Sequence, residues 1–141
     1  MKKRVFIFFM FICFIIMGCR MEDYKYPVGR DSFVVVGDGR FQILSGPMEY
    51  ALSDQMKDDD LIETIISYYD DGKNKLYARG EQEYVIVNYD NNTYHKYDDN
   101  NLDKMPQKEL EIFQSDKMRK VPEIETFVNN NGVSYIYDWD I

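Results

Sequence analysis

The strongest constraint on the fold lies between Leu61 and Tyr97. There, four short runs rich in β-branched and aromatic residues alternate with turn-forming clusters. The runs are Leu61 to Tyr69, Lys75 to Arg79, Glu83 to Tyr89 and Thr93 to Tyr97. Between them stand Asp70-Asp71-Gly72-Lys73-Asn74, Gly80-Glu81-Gln82 and Asp90-Asn91-Asn92. Such clusters supply residues that accept left-handed backbone or fold their side chains back onto it. Strands joined by links this short pair antiparallel, so the spacing predicts a meander. Within the third run, Tyr84 and Ile86 point one way while Val85, Val87 and Tyr89 point the other. Both faces are partly apolar, which predicts a central place in the sheet for such a strand.

The flanks extend this pattern. Phe33 to Val36 and Arg40 to Leu44 enclose Gly37-Asp38-Gly39 and predict a hairpin. At the other end Asn129-Asn130-Asn131-Gly132 is a turn signal, followed by Val133, Tyr135, Tyr137 and Trp139 on one face of a last strand. Two segments carry helical spacing. Pro47 is placed to open a helix whose face holds Met48, Ala51, Leu52 and Met56, ending at Lys57-Asp58-Asp59-Asp60. Pro106 is placed to open a second, running to about Arg119 with Leu110, Phe113 and Met118 as its apolar stripe. Lys117, Arg119 and Lys120 would offset the dipole at its end, and Pro122 stops it. The expected architecture is one α+β domain over residues 33–141. It consists of an antiparallel meander of about six to eight strands with one or two packed helices.

The first residues follow a different logic. Lys2, Lys3 and Arg4 precede an uncharged apolar run from Val5 to Met17. Those 13 residues fall short of the ~20 that a bilayer core requires. A basic start, a short apolar stretch and a small residue before a break make the pattern of an export signal. The run ends in Ile16-Met17-Gly18-Cys19, which resembles the lipobox of bacterial lipoprotein precursors. That resemblance implies a diacylglyceryl group on the Cys19 thiol and cleavage between Gly18 and Cys19. Residues 1–18 would then be the signal peptide. Residues 19–32 would be a lipidated tether, and the protein would be held to a membrane on its non-cytoplasmic side. Two or more acyl chains give stable attachment, at ~0.8 kcal/mol per buried methylene.

Processing at this point changes the chemistry of the chain. Lys2, Lys3 and Arg4 leave with the signal, so the formal charge of −8 becomes −11. A surface of that sign is repelled by nucleic acid and by anionic headgroups, and it attracts cationic partners. Cys13 leaves as well and Cys19 carries lipid, so the exported domain has no disulfide and depends on its core alone. All 12 tyrosines lie beyond the cut, an aromatic load that argues against disorder.

No catalytic set stands out. Gly37-Asp38-Gly39 lacks the following Gly-Lys-Ser/Thr of a phosphate-binding loop. Asp58-Asp59-Asp60 lacks the glycine and the spaced later carboxylate of a calcium loop and reads as a solvated turn. Asp98, Asp99, Asn100 and Asp103 fit no recognised ligand spacing and read as a polar linker. His95 is the single histidine, and nothing near it in sequence suggests a Ser-His-Asp arrangement. No motif calls for a metal or cofactor. Tyr135, Tyr137 and Trp139 read first as core and second as a binding face, because Tyr and Trp are favoured at interface hot spots. The functional expectation is a non-enzymatic, membrane-anchored binding or inhibitory module of the bacterial cell envelope with a cationic protein partner. A structural or accessory part of an envelope assembly ranks second, and a cell-wall hydrolase third.

Overall fold

The computed structural model describes residues 24–122, and the backbone of residues 124–129 and 132–137. Four antiparallel strands come first: β1 (Ser32–Val36), β2 (Phe41–Ser45), β3 (Tyr50–Asp54) and β4 (Asp59–Ile62). They form one sheet in sequence order. A second sheet contains β5 (Ser67–Asp70), β6 (Lys75–Arg79), β7 (Glu83–Asn88), β8 (Thr93–Asp98) and the two-residue β9 (Arg119–Lys120). Its order is β8-β7-β6-β5-β9, all antiparallel. A 3₁₀ turn at Leu102–Lys104 and helix α1 (Gln107–Phe113) connect β8 to β9. Strands β10 (Ile124–Asn129) and β11 (Gly132–Tyr137) pair only with each other among the described residues. No helix among the described residues is long and apolar enough to cross a membrane.

The class is α+β, consistent with expectation, but the strand count is higher and the meander divides between two sheets. The division occurs inside the run Leu61 to Tyr69, which is not one strand. The Ile65 amide donates to the Tyr50 carbonyl in the first sheet, while the next amide, of Ile66, donates to Arg79 in the second. The chain changes sheets between these two residues. Gly80 makes room for the crossing, since a Cβ there would lie 3.0 Å from the Thr64 carbonyl oxygen.

The two sheets share one core. Val36, Phe41, Ile43, Tyr50, Leu52 and Ile62 of the first meet Leu76, Ala78, Val85 and Val87 of the second. Each fully buried side chain of this size contributes ~1.5–3 kcal/mol. The second sheet is apolar on its other face too. Tyr77, Tyr84 and Ile86 pack there with Met105 and Phe113. The Phe113 ring meets Tyr77 and Tyr84 edge-on at 5.6 and 5.3 Å. The two-faced pattern of β7 therefore reflects one sheet held between another sheet and a helix.

The helix expected over Pro47–Met56 is instead a turn, strand β3 and a second turn. Tyr50 and Leu52 are buried, whereas Met48 and Met56 are 74% and 54% exposed. Only the alternating residues are used, because β3 pairs in register with β2, Ile43 opposite Leu52. That ladder and its core contacts override a weak helical periodicity. Asp59 and Asp60 belong to β4 rather than to the turn before it, and Asp58 takes the left-handed backbone there with φ 53°. The second helix is shorter than expected. It ends at Phe113, so Arg119 and Lys120 form β9 against Tyr68 and Ser67 rather than a helix end.

Residues 24–31, expected as part of the tether, lie against the first sheet. The amides of Lys25 and Tyr26 donate to the Asp38 carbonyl, and Gln42 Nε2 donates to that of Pro27 at 2.9 Å. The Ser45 amide donates to the carbonyl of Asp31 at 2.7 Å. This strap runs from the β1–β2 turn to the start of β1. The β1–β2, β3–β4, β5–β6 and β7–β8 turns share that same end of the molecule. Tyr89 packs against Gly37, Asn92 Nδ2 donates to Asp38, and Lys57 Nζ donates to the Tyr94 hydroxyl. The β2–β3 turn and the crossing at 63–66 lie at the opposite end.

Candidate functional site

The outer face of the first sheet carries an open groove. Leu44 and Ala51 are cross-strand partners that alternate with the core residues Ile43 and Leu52. Their side chains therefore face away from the core. With Pro47 they form an apolar floor. Asp31, Glu49, Asp60 and Glu63 surround it, enclosing about 400 Å³. All four acidic residues are exposed.

Backbone geometry assembles these four residues from separate parts of the chain. Asp31 is set by its carbonyl bond from the Ser45 amide. Glu49 closes the β2–β3 turn, where the Gly46 amide donates to its carbonyl at 2.7 Å. Asp60 stands opposite Ser53 in the β3–β4 ladder, and Glu63 follows β4 directly. One contact restrains a carboxylate: Thr64 Oγ1 donates to Glu49 Oε2 at 2.6 Å. None of the four is ion-paired with a described lysine or arginine. No three His, Cys, Asp or Glu side chains converge as metal ligands among the described residues. The acids thus ring an apolar surface. This arrangement suits a side chain with an aliphatic stem and a cationic head, which lays its methylenes on the floor and its charge at the rim.

Two other carboxylates, away from the groove, are paired with cations inside the fold. Arg40 Nε and Nη2 donate to Asp54 Oδ1 and Oδ2, both at 2.8 Å, and the Asp54 side chain is fully buried. Burial alone would raise the Asp54 pKa. The Arg40 hydrogen bonds and the Met56 amide outweigh burial and hold it below the ordinary carboxylate value. Arg40 Nη1 also donates to the Asn92 carbonyl, joining the two sheets at the turn end. Near α1, Glu109 accepts from Lys75 Nζ and from the Tyr77 hydroxyl, each at 2.6 Å. Burial first and Glu109 second push the Tyr77 pKa up.

The residues singled out by sequence do not meet in one place. His95 is exposed on edge strand β8, opposite Ile86. Asp98 and Asn101 brace a turn, Asp98 Oδ1 accepting from the amides of Asn100 and Asn101. The stretch is therefore an ordered turn rather than a loose linker. Tyr135 and Tyr137 occupy β11 opposite Thr126 and Ile124, and their side chains lie outside the described residues. Gly18, Cys19 and Trp139 also lie outside them. Sequence reading missed Asp31, Glu49 and Glu63 as a group and took Asp60 for part of a solvated turn. The usable signal was indirect: Glu49 precedes β3 and Glu63 follows β4, so antiparallel pairing of those two strands brings them together. No family model matches the chain, and no curated protein or solved structure matches it.

Proposed function

We propose that the chain is a lipid-anchored protein of the bacterial cell envelope that binds a cationic protein, non-enzymatically, through the groove on its first sheet. The observation that carries this reading is the ring of Asp31, Glu49, Asp60 and Glu63 around an apolar floor, with no described lysine or arginine paired to it. An acidic rim draws a cationic partner and orients it, while the floor supplies buried apolar area. The lipobox-like Ile16-Met17-Gly18-Cys19 supports the anchor, and the charge of −11 left after cleavage supports the sign of the partner. Blocking a basic enzyme or toxin at the envelope is the role such a module fits.

The anchor and the groove are tested separately. Cys19→Ala abolishes acyl labelling and leaves uncleaved precursor; normal labelling in that variant would remove the lipoprotein reading. For the groove, the anchored protein is cross-linked and recovered at low and high salt. A parallel sample carries Glu49→Gln, Asp60→Asn and Glu63→Gln together. Exposed charge pairs are worth ~0.2–1 kcal/mol each, so losing three weakens binding by roughly three- to a hundred-and-fiftyfold. Binding to the wild type falls with salt because such pairs are screened. Recovery of the same partners by the variant, unaffected by salt, would overturn the groove reading.

The structural-component alternative has less support. A broad apolar patch would favour it. Among the described residues the exposed large apolar side chains are Val28, Met48, Met56 and Ile66, which lie on the strap and at both ends of the sheets.

A further inference from the structure

We infer that the end of the molecule bearing the β1–β2, β3–β4, β5–β6 and β7–β8 turns faces the membrane, and that the Glu49 and Glu63 rim of the acidic groove stands at the end away from it. This rests on the proposed lipid at Cys19. The argument comes from where the strap is fastened. Tyr24 packs against Gly39, where a Cβ would lie 3.0 Å from the Tyr24 Cβ and 3.1 Å from the Tyr26 carbonyl oxygen. The amides of Lys25 and Tyr26 are both bonded to Asp38. The chain therefore enters the domain at the turn end. Only five residue steps separate Cys19 from Tyr24. At ~3.3–3.6 Å per extended residue, the fastening point lies within about 18 Å of the lipidated residue.

The far rim of the groove lies at the other end. Glu49 and Pro47 belong to the β2–β3 turn, and Glu63 follows β4. A five-residue strand advances ~17 Å, so this rim stands about that much farther from the anchor than the turn end does, with Asp60, opposite Ser53, nearer the turns. The turn end is not built to lie on anionic headgroups. It presents Asp38, Asp58, Asp70, Asp71 and Asp90 against Lys25, Lys57 and Lys73. The partner the groove admits is one arriving from the aqueous side of the membrane, not one embedded in the bilayer.

The test uses the full anchored chain. After cleavage no cysteine remains except the lipidated one, so a single dye is placed through Lys73→Cys at the turn end or Met48→Cys beside the groove. Both positions are exposed. An acceptor dye is attached to lipid headgroups of the isolated membranes, and acyl labelling is read in the same samples. The inference predicts higher transfer from position 73 than from position 48, the two standing ~17 Å apart in height. A Gly-Ser insertion after Asp23 should erase that difference. Equal or greater transfer from position 48 in acyl-labelled, membrane-bound protein overturns the orientation and leaves the anchor standing. Soluble protein without an acyl label overturns the anchor and the orientation together.

Discussion

Arg40 and Asp54 show how a single pair serves a domain without disulfides. Both hydrogen bonds of the fork are made inside the molecule, and a third ties Arg40 to the β7–β8 turn of the other sheet. Removing one partner strands the other charge in the interior. Asp54→Ala should therefore cost ~3–5 kcal/mol, read as a lowered denaturant midpoint. The pair also sets a pH response. The folded-state pKa of Asp54 lies below its unfolded value near 3.8. Its contribution is fully present above that unfolded value and is lost as pH falls through the folded one. Unfolding curves from neutral pH into the carboxylate range should show this loss in the wild type, and a smaller one in Asp54→Asn. An equal acid response in the two proteins would contradict the assignment.

At the scale of elements, the strap and α1 depend on contacts outside themselves. Gly39 has φ 87°, a left-handed value that strains any residue with a Cβ, and Tyr24 and Tyr26 close on it. Gly39→Ala should cost ~1–3 kcal/mol and free the strap. Limited proteolysis should then cut within residues 24–31, which resist cleavage in the wild type. Helix α1 has seven residues, too few to persist alone. Phe113 is its buried anchor. Phe113→Ala should cost ~3–5 kcal/mol, with hydrogen exchange accelerated at Leu110 to Gln114 well before β2 and β3. These elements also mark what the sequence disclosed. The meander was legible because alternation and Asx/Gly turns are side-chain properties. The strap was not, because its bonds use the amides of Lys25 and Tyr26 and the carbonyls of Pro27 and Asp31, groups that residue identity barely marks. Strand β3 was misread because Met48 and Met56 completed a helical stripe with residues that the fold leaves exposed.

On the scale of the whole molecule, two sheets and a helix among the described residues stack in three layers, with a pairing network at one end and an acidic groove on the outer face of the first sheet. The acidic composition was plain in the sequence, and its sign anticipated a cationic partner. Its location was hidden, since Asp31, Glu49, Asp60 and Glu63 are joined only by strand register and the change of sheets at Ile65–Ile66. The interior holds its charges in pairs, whereas the four carboxylates around the groove have no cationic partner among the described residues. The most direct test places a photo-cross-linking residue at Met48 on the groove rim, and in a second protein at Glu111 on exposed α1. Both are assayed in anchored protein at low and high salt. The account predicts capture of a cationic protein from position 48, lost at high salt and lost with Glu49→Gln, Asp60→Asn and Glu63→Gln together. Capture of that partner from position 111 instead, or from position 48 regardless of salt and of those substitutions, would contradict it.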